Sequence, residues 1–338
     1  MKVLIAGLAG ASLGTEIIKC LSKNSGYEIF GCDISPLAYG LYNELLAKSF
    51  VVDNNTYIES VIRICKENRI EYIIPGGEQP MVILAKHNKE LTDSGITLAS
   101  NSVEITNIFS DKHRTFKFLG EHGFAIPKTL LIEDVSDLKG FSFPCIVKPS
   151  SGTGGSDSVF LATNAEECLL YVELLHRNKR TVIVQEYIDV EGGEFTIGVL
   201  SDTNTNIIGS IAMQRVFNSK LSVAYRGQKG LISSGYSQGL ISDFPEIREQ
   251  AEKMARAAKS RGPFNIQGRV KDGVLIPFEI NPRFSASTYL RTLAGFNEVD
   301  LFLQHLLKGS ALPKWQLKEG YYLRSFEEIY IPLNGEKK

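Results

Sequence analysis

Cysteine is scarce in this 338-residue sequence, and long apolar runs are missing. The five cysteines stand singly without a C-x-x-C pair, and their odd number argues against a disulfide framework. No apolar stretch approaches the roughly 20 residues that a bilayer-crossing helix needs. The opening MKVLIAGLAG runs into a glycine turn instead of a cleavage site. The sequence therefore predicts a cytoplasmic protein with reduced, buried cysteines and no membrane partner.

An excess of charge of either sign is also missing. Lysine and arginine total 37 against 38 aspartates and glutamates, which gives a formal net charge of -1. A chain with this balance lacks the basic surface that attracts nucleic acid or anionic membranes. Hydrophobic residues at 43% and charged residues at 22% are ordinary for a globular protein, and the length suits two or three domains. Small molecules are therefore the expected partners.

Strand and helix patterns alternate from the first residues onward. Apolar runs at residues 2–6 and 27–32 flank a helical pattern at 15–21, and Asp33 follows the second run. A βαβ unit of this kind is typical of dinucleotide-binding folds. The first turn, however, has the spacing G-x-x-G-x-x-x-G and not G-x-G-x-x-G, with its glycines at Gly7, Gly10 and Gly14. Two interpretations stay open: the dinucleotide site of a dehydrogenase, or a tight turn with close helix packing.

The alternation continues to about residue 100. The predicted elements are strands at 50–52, 72–74 and 97–99 and helices at 57–68 and 80–94. A glycine turn ending in Glu78 follows the strand at 72–74, on the edge where open α/β sheets place ligands. Glu78 and Gln79 face either a substrate or solvent.

A lysine at the mouth of a glycine-rich loop marks a candidate phosphate site. The apolar strand at residues 144–149 carries Lys148, and the loop 150–158 contains three glycines among small residues. Backbone N–H groups of glycines and a lysine ammonium can together bind a phosphate. The lysine precedes the glycines, so the segment is not a Walker A loop. Asp111 is predicted to cap a helix that begins with Lys112. Positive charge there opposes the helix dipole, so Lys112 faces either a nearby anion or solvent.

The segment I-P-F-E-I-N-P-R at residues 276–283 alternates polar groups with apolar ones. In a strand, Glu279 and Asn281 project from the same face, and a proline ends the strand just before Arg283. An upstream D-G turn signal predicts a hairpin that brings Gln267 to that face. Oxygen ligands beside a cation suit magnesium holding a polyphosphate, and the alternative is a strand end with a surface ion pair.

The order of these features resembles that of the ATP-grasp superfamily. A Rossmann-like domain precedes the motifs D-K at 111–112, I-V-K-P at 146–149, V-Q-E-Y-I at 184–188, a turn that ends in a glutamate, N-I-Q-G-R at 265–269 and F-E-I-N-P-R at 278–283. The chain is most similar to the branch that contains the large subunit of carbamoyl-phosphate synthetase. The resemblance implies an α/β fold: a Rossmann-like domain at residues 1–110, a small ATP-grasp lobe at 111–185 and a large α+β lobe at 186–338.

The resemblance also implies a set of site residues and cofactors. They are Lys112, Lys148, Ser151, Gly152, Gly154, Gly155, Glu186, Tyr187, Ile188 and Glu194 for ATP; Gln267, Glu279 and Asn281 for two Mg²⁺ ions, or Mn²⁺; and Arg283 with Lys148 for catalysis. In this set Glu186, Tyr187 and Ile188 form the adenine hinge, and Glu194 accepts from the ribose hydroxyls. The synthetase branch shares the glutamine at position 267 but often has arginine in place of Lys148.

The activity implied by the resemblance is that of an ATP-dependent ligase. ATP would phosphorylate a carboxylate to an acyl phosphate, and an amine, a thiol or another nucleophile would then displace phosphate. Two alternatives are phosphorylation of bicarbonate or carbamate, and a nucleotide-binding module without catalysis. The aperiodic segment 221–239 is predicted to be a lid or substrate loop, and family analogy suggests a homodimer.

Overall fold

The computed structural model describes residues 1–9, 13–152, 157–309, 314–329 and 331. The expected phosphate-loop residues Gly154 and Gly155 lie outside this described part, as does Gly10. Within it, no helix combines the length and the apolar character needed to cross a membrane. All five cysteines are buried and free, which confirms the prediction of buried, unpaired thiols.

The N-terminal part is a parallel five-stranded sheet with helices on both faces. Its elements are β1 Lys2–Ala6, α1 Leu13–Leu21, β2 Glu28–Asp33, β3 Lys48–Val51, α2 Tyr57–Asn68, β4 Tyr72–Pro75, α3 Glu78–Lys86, α4 Asn88–Asp93, β5 Thr97–Leu98 and α5 Val103–Phe109. The strand order is β3-β2-β1-β4-β5. Because strand side chains alternate, Val3 and Ile5 of β1 join one core, whereas Leu4 and Ala6 join the core on the opposite face.

A four-stranded antiparallel sheet with one covering helix forms the small lobe. It follows α6 Lys112–Glu121 and consists of β6 Thr129–Ile132, β7 Cys145–Pro149, β8 Phe160–Ala162, α7 Ala165–Arg177 and β9 Val182–Glu186, in the order β6-β9-β7-β8. Cys145 and Val147 of β7 share a core with Val172 of α7. The alternate residues Ile146 and Lys148 line the cleft on the other side of the sheet.

The large lobe is built on a six-stranded antiparallel sheet. Its elements are β10 Glu194–Ser201, β11 Ile207–Arg215, β12 Val223–Gly227, β13 Gly230–Ser233, β14 Gly239–Ser242, α8 Pro245–Ala257, β15 Pro263–Lys271, β16 Val274–Asn281, α9 Thr288–Leu293, α10 Glu298–Lys308 and β17 Gly320–Tyr322. The sheet order is β16-β15-β10-β11-β14-β17. The hairpin from β15 to β16 turns at Asp272 and Gly273, whose φ angles of 52° and 75° fit the predicted D-G turn.

The expected architecture is confirmed: an α/β N-terminal domain is followed by two lobes, each built on an antiparallel sheet. One local prediction was wrong. The helix expected at residues 80–94 is two helices, α3 and α4, which meet at His87, where the next residue is an asparagine that favours caps over helix interiors. The segment 221–239 contains the hairpin β12–β13, whose first strand is largely exposed, which explains its lack of periodicity. The role of this segment as a lid or substrate loop stays a prediction.

Side chains pack across the predicted domain boundaries at 110/111 and 185/186, so the hydrophobic cores do not coincide with the predicted domains. The boundaries themselves stay a prediction. Phe116 and Leu119 of α6 join the core beneath the six-stranded sheet. Helices α9 and α10 pack against α1 in the N-terminal domain. Asn297, before α10, donates to the Cys20 carbonyl of α1 at 2.9 Å. Two helices near the end of the chain therefore pack against its first helix.

Candidate active site

Lys148 is a buried cation at the floor of the cleft between the two lobes. Its Nζ donates to Oε1 of Gln185 at 2.8 Å and to the carbonyl of Phe278 at 3.0 Å, which ties the small lobe to the large one. Burial, and secondarily the charge of Lys112, lowers the pKa of Lys148 to about 7. A lysine with a pKa near neutrality gains its charge readily when an anion arrives.

The start of α6 is bonded to the strand end that carries the phosphate loop. The Asp111 side chain accepts from Arg114 N–H at 2.9 Å and from Ser150 Oγ at 3.0 Å, which confirms the predicted cap. The backbone N–H of Lys112 donates to the Ser150 carbonyl at 2.8 Å. Two candidate phosphate ligands, Lys112 and Lys148, are thereby fixed at the same end of the cleft.

The structure brings most of the predicted nucleotide residues together. The cavity between the lobes, here called the nucleotide cleft, is lined by Lys112, Lys148, Glu186, Tyr187, Ile188 and Glu279 among others. Ile146, Leu231 and Phe278 give it apolar walls of the kind that a flat base contacts. Tyr187 accepts from the backbone N–H of Leu231 at 2.9 Å, so the β12–β13 hairpin forms part of the wall.

Glu194 is a predicted nucleotide residue that does not line the cleft. Its side chain is fully buried, 3.2 Å from Nη1 of Arg215 and 2.9 Å from Nε of Arg269. Arg269 in turn lines the cleft, donates to the carbonyls of Ile188 and Leu231, and lies over the Tyr187 ring. The ribose contact stays a prediction, and the geometry favours a structural role for Glu194 in holding the two arginines.

A substitution of Glu194 separates these roles. We expect Glu194→Gln to lower the free energy of unfolding by about 2–3 kcal/mol, because two buried guanidinium groups lose their counter-charge. The ratio of the affinities for ATP and 2′-deoxy-ATP should stay as in the native protein. Calorimetric titration with both nucleotides checks this, and loss of that preference in the variant would instead establish the ribose contact.

The Glu279 side chain on β16 lies between two amide side chains, one on the facing strand β15 and one two residues further along β16. It pairs in register with Gln267, whose Nε2 lies 3.4 Å from its Oε2, and Asn281 Nδ2 donates to its Oε1 at 3.0 Å. Arg283 donates to Asn281 Oδ1 at 3.1 Å. Burial opposes the charge of Glu279, but the surrounding cations and the Asn281 hydrogen bond hold its pKa below the ordinary value. The period-two alternation thus places all three side chains as expected.

These three side chains fit a hard cation by their chemistry. Each of them offers oxygen, the donor that Mg²⁺ and Mn²⁺ prefer, provided that the amides turn their oxygens inward. The part of the chain that the structure describes contains no group of three or more His, Cys, Asp or Glu side chains suited to a metal. A single carboxylate with two amides leaves most of the shell to other oxygens, such as those of a polyphosphate.

A second, larger cavity of about 1240 Å³ lies on the other side of Glu279 and is here called the acceptor cavity. Its walls come from the N-terminal domain, through Glu78 and Gln79, and from the large lobe, through Gln267, Glu279 and Arg283. Ser151 and Gly152, the described part of the predicted phosphate loop, also line it. Glu78 is half-buried and Gln79 is exposed, so the choice between substrate and solvent stays open for both.

Charges across the acceptor cavity influence each other. Burial raises the pKa of Glu78, and the positive charges of Arg283 and Lys112 counteract this rise. Burial lowers the pKa of Arg283, which Glu78 and Glu279 counteract. Nε of Arg283 is buried and has no hydrogen-bond partner among the described residues.

Several residues that line these cavities were not predicted as site residues, and four of them are polar or charged neighbours of the predicted ones. Arg269 borders the nucleotide cleft, and Arg114, Asn265 and Ser285 border the acceptor cavity. Two of them had a signal in the sequence, since Asn265 and Arg269 are each two residues from Gln267 on β15. Arg114 and Ser285 had none, because their position depends on how the N-terminal domain meets the lobes.

The N-terminal turn is built for packing and not for a dinucleotide. Gly7 has a φ of 102°, and a Cβ on Gly14 would lie 2.1 Å from the Gly7 carbonyl oxygen. Both oxygens of Asp33 are engaged, by the backbone N–H groups of Leu8 and Ser35. The acidic residue expected to bind a ribose is therefore occupied, and the geometry favours the tight-turn interpretation over the dehydrogenase.

Two lobes that enclose the buried Lys148 and the half-buried Lys112 opposite a carboxylate define the class of the protein: an enzyme with a nucleotide site between two antiparallel sheets. The family model described as "ATP-grasp domain" matches residues 109–287, more than half of the chain. The protein therefore belongs to the ATP-grasp family. The model described as "PylC-like, N-terminal domain" matches residues 5–99.

Known proteins with similar sequences or structures agree with this assignment. The carbamoyl phosphate synthase large chain of Saccharolobus islandicus is 24% identical over 325 residues, 91% of this chain but 30% of its own length. The biotin carboxylase domain of the Hydrogenobacter thermophilus 2-oxoglutarate carboxylase has a TM-score of 0.66 at 20% identity, covering 93% of this chain and 71% of the other. The Bacillus licheniformis L-amino acid ligase has a TM-score of 0.67 at 18% identity, with coverage of 91% and 74%.

Proposed function

We propose that the protein is an ATP-dependent ligase that activates a carboxylate and joins it to an amine or another nucleophile such as a thiol. The observation that carries this function is that Glu279 lines both cavities. A nucleotide in the cleft would present its terminal phosphate at Glu279, and a substrate in the acceptor cavity would meet it there. The two cavities are thus the two sides of one phosphoryl-transfer centre.

The chemistry follows in two balanced steps. A carboxylate oxygen attacks the γ-phosphorus of ATP, the bond to the β–γ bridging oxygen breaks, and ADP leaves with that electron pair. The amine nitrogen then attacks the carbonyl carbon of the acyl phosphate, loses a proton, and inorganic phosphate leaves. Activation is needed because a free carboxylate resists attack by an amine at neutral pH.

The residues of this chain supply positioning and charge. Lys112 and Lys148 would hold the phosphates under the loop that begins at Ser151 and Gly152 and includes Gly154 and Gly155. Glu186, Tyr187 and Ile188 would contact the adenine. Arg283, at the acceptor side of Glu279, would stabilise the charge of the phosphorylated intermediate.

Gln267, Glu279 and Asn281 would hold two Mg²⁺ ions, with Mn²⁺ as a substitute. Magnesium bound there supplies charge neutralisation for the phosphates. Support for magnesium comes from the oxygen donor set and from the Hydrogenobacter biotin carboxylase domain, which was solved with MgADP.

Bicarbonate is a second candidate substrate class, since the Hydrogenobacter biotin carboxylase domain was solved in complex with bicarbonate. The similar large chain of carbamoyl phosphate synthase is much longer, and this chain spans about 30% of its length. Bicarbonate has four heavy atoms, whereas the acceptor cavity measures about 1240 Å³. The size of the cavity therefore favours a larger carboxylate.

Capture of the acyl phosphate tests the proposed function. Purified protein is incubated with ATP, MgCl₂, hydroxylamine and one carboxylate at a time, and ADP and hydroxamate are measured together. The expected result is carboxylate-dependent ADP release with an equal amount of hydroxamate. ADP release that depends on bicarbonate alone would support the second substrate class, and tight ATP binding without ADP release under any condition would indicate a non-catalytic module.

The assembly and location of the protein are also proposals. We propose a homodimer, supported by the Hydrogenobacter biotin carboxylase domain, which was solved as a dimer. We propose a cytoplasmic location, supported by five free, buried cysteines, which suit a reducing compartment. Sedimentation velocity at several protein concentrations tests the first proposal, and microscopy of a fluorescent fusion in the source cell tests the second.

The pKa of Lys148 predicts proton uptake when nucleotide binds. Phosphates favour the charged lysine, so binding should raise the pKa of Lys148 from about 7 toward its ordinary value of 10.5. The affinity for ATP should be nearly constant below pH 7 and fall above it, by at most about tenfold per pH unit. Calorimetric titration in buffers of different ionisation enthalpy measures the uptake.

Two variants of Lys148 serve as controls for that titration. Lys148→Met should abolish the proton uptake and weaken binding at pH 6.5. Lys148→Arg should keep the affinity but lose its dependence on pH, because arginine stays charged throughout this range. Proton uptake that persists in both variants would assign the titration to another group.

A further inference from the structure

The acceptor cavity opens into a smaller cavity that the proposed reaction has not yet used. This second space measures about 200 Å³ and lies at the carboxyl edge of the N-terminal sheet. It is here called the crevice. Gly76, Gly77, Gln79 and Pro80, which flank Glu78 in the sequence, border both the crevice and the acceptor cavity. A single ligand at Glu78 therefore reaches both spaces.

The described residues give the crevice a mainly apolar lining. Ala9, Ile34, Pro80 and Ile83 contribute apolar atoms to its lining. Asp33 is the one carboxylate among the described lining residues, and each of its oxygens already accepts a hydrogen bond from a backbone N–H group. An apolar ligand group that enters the crevice is stabilised because its apolar surface is buried. A charged group would find no free counter-charge among the described lining residues.

Glu78 is the available anion at the mouth of the crevice. Among the described residues, the carboxylates that line the acceptor cavity are Glu78, Asp111 and Glu279. Asp111 is engaged by Arg114 and Ser150, and Glu279 by its neighbouring amides. Glu78 has neither a hydrogen bond nor an ion pair with any other described side chain, although burial raises its pKa. A ligand cation would relieve that cost.

Arg283 provides the opposite charge across the same cavity. Its Nε has no partner within the described part of the chain, and it stands beside the three candidate metal ligands. An anion and a cation that face one cavity, with an apolar space beside the anion, match a zwitterion that carries an apolar group.

We infer that the acceptor cavity and the crevice form one site for an apolar α-amino acid, whose ammonium binds Glu78, whose carboxylate lies beside Arg283, and whose side chain enters the crevice. The inference rests on the proposed function and names its carboxylate substrate. The amino acid is the compound that becomes phosphorylated, because its carboxylate lies on the side of Glu279.

The test compares amino acids with analogues that lack one charge. Leucine, methionine and phenylalanine are compared with 4-methylpentanoate, the leucine skeleton without its ammonium, in the hydroxylamine assay. The native protein should favour leucine over 4-methylpentanoate by at least about tenfold in kcat/KM, as expected for a charged hydrogen bond. Glu78→Gln should lower kcat/KM for leucine by a larger factor than kcat/KM for 4-methylpentanoate, so that the preference for leucine is lost.

A crevice variant tests the apolar side chain independently. Ile34 lines the crevice and is 46% exposed, so Ile34→Asn should leave the fold intact. It should raise the KM for leucine by about fivefold or more relative to alanine. Leu37→Asn is the matched control, since Leu37 is 75% exposed and does not line the crevice.

The melting temperature in the presence of ADP measures amino-acid binding at the same site without turnover. Leucine should raise the melting temperature of the native protein but not of Glu78→Gln, and 4-methylpentanoate should have little effect on either. If the native protein treats leucine and 4-methylpentanoate alike, the inference is overturned while the ligase activity stands. If none of the three amino acids stabilises or is activated, the inference is overturned as well. Only failure with every carboxylate in the assay rejects the ligase itself.

Discussion

We expect Glu279→Gln to lower kcat/KM for the ATP-dependent reaction by about 10³-fold at saturating magnesium. Glu279 is the only carboxylate among the three candidate metal ligands, and it borders both the nucleotide cleft and the acceptor cavity. The lowered pKa means that it is ionised at neutral pH. Glutamine keeps the size of the side chain but removes its negative charge. The decrease in kcat/KM therefore measures the contribution of the Glu279 charge.

The measurement is steady-state ADP release over a range of magnesium concentrations. Glu249→Gln is the matched control, because Glu249 forms an exposed ion pair with Lys253 on α8, away from both cavities. The melting temperature of each variant checks that the fold is preserved. Turnover that survives in Glu279→Gln would reject the proposed phosphoryl-transfer centre.

We expect Arg291→Met to lower the free energy of unfolding by about 3–5 kcal/mol. Arg291 is 1% exposed and pairs with Glu298 at 3.0 Å, while its Nη2 donates to Asn265 Oδ1 at 2.6 Å and Thr196 Oγ1 at 3.1 Å. Methionine fills much of the volume but leaves the buried Glu298 carboxylate without its cation. The cost of that unpaired charge dominates the change.

Chemical denaturation followed by fluorescence measures this effect. The double variant Arg291→Met with Glu298→Gln should recover part of the lost stability, because the unpaired buried charge is gone. Arg256→Met is the control: Arg256 pairs with Glu252 on the surface of α8 and should change stability by less than about 1 kcal/mol. Equal effects of Arg291→Met and Arg256→Met would show that burial of the Arg291 pair has no consequence.

The parts of the site that follow from local pattern were predictable from the sequence. Glu279 and Asn281 share a face because strand side chains alternate, and the D-G turn places Gln267 opposite them. Lys148 lies in the cleft because it has the parity of Ile146 and the opposite parity to the buried Cys145 and Val147. Each of these placements depends on a few neighbouring residues.

The parts that depend on distant residues were not predictable. Glu194 forms an ion pair with Arg269, which lies 75 residues further along the chain. The sequence around neither residue indicates that the two are partners. The position of Glu78 opposite Arg283 depends on how the N-terminal domain sits on the large lobe. The β12–β13 hairpin escaped detection because β12 is exposed and carries no alternating pattern.

The docking of α9 and α10 on α1 has a mechanical consequence. One core contains residues of β1 and α1 together with Phe284, Phe296 and Phe302, so the N-terminal domain and the large lobe share an interior. The buried core of the small lobe contains residues between 132 and 184 alone. Glu78 and Arg283 come from the two parts that share the first of these cores, so that core fixes the separation of the two charges across the acceptor cavity.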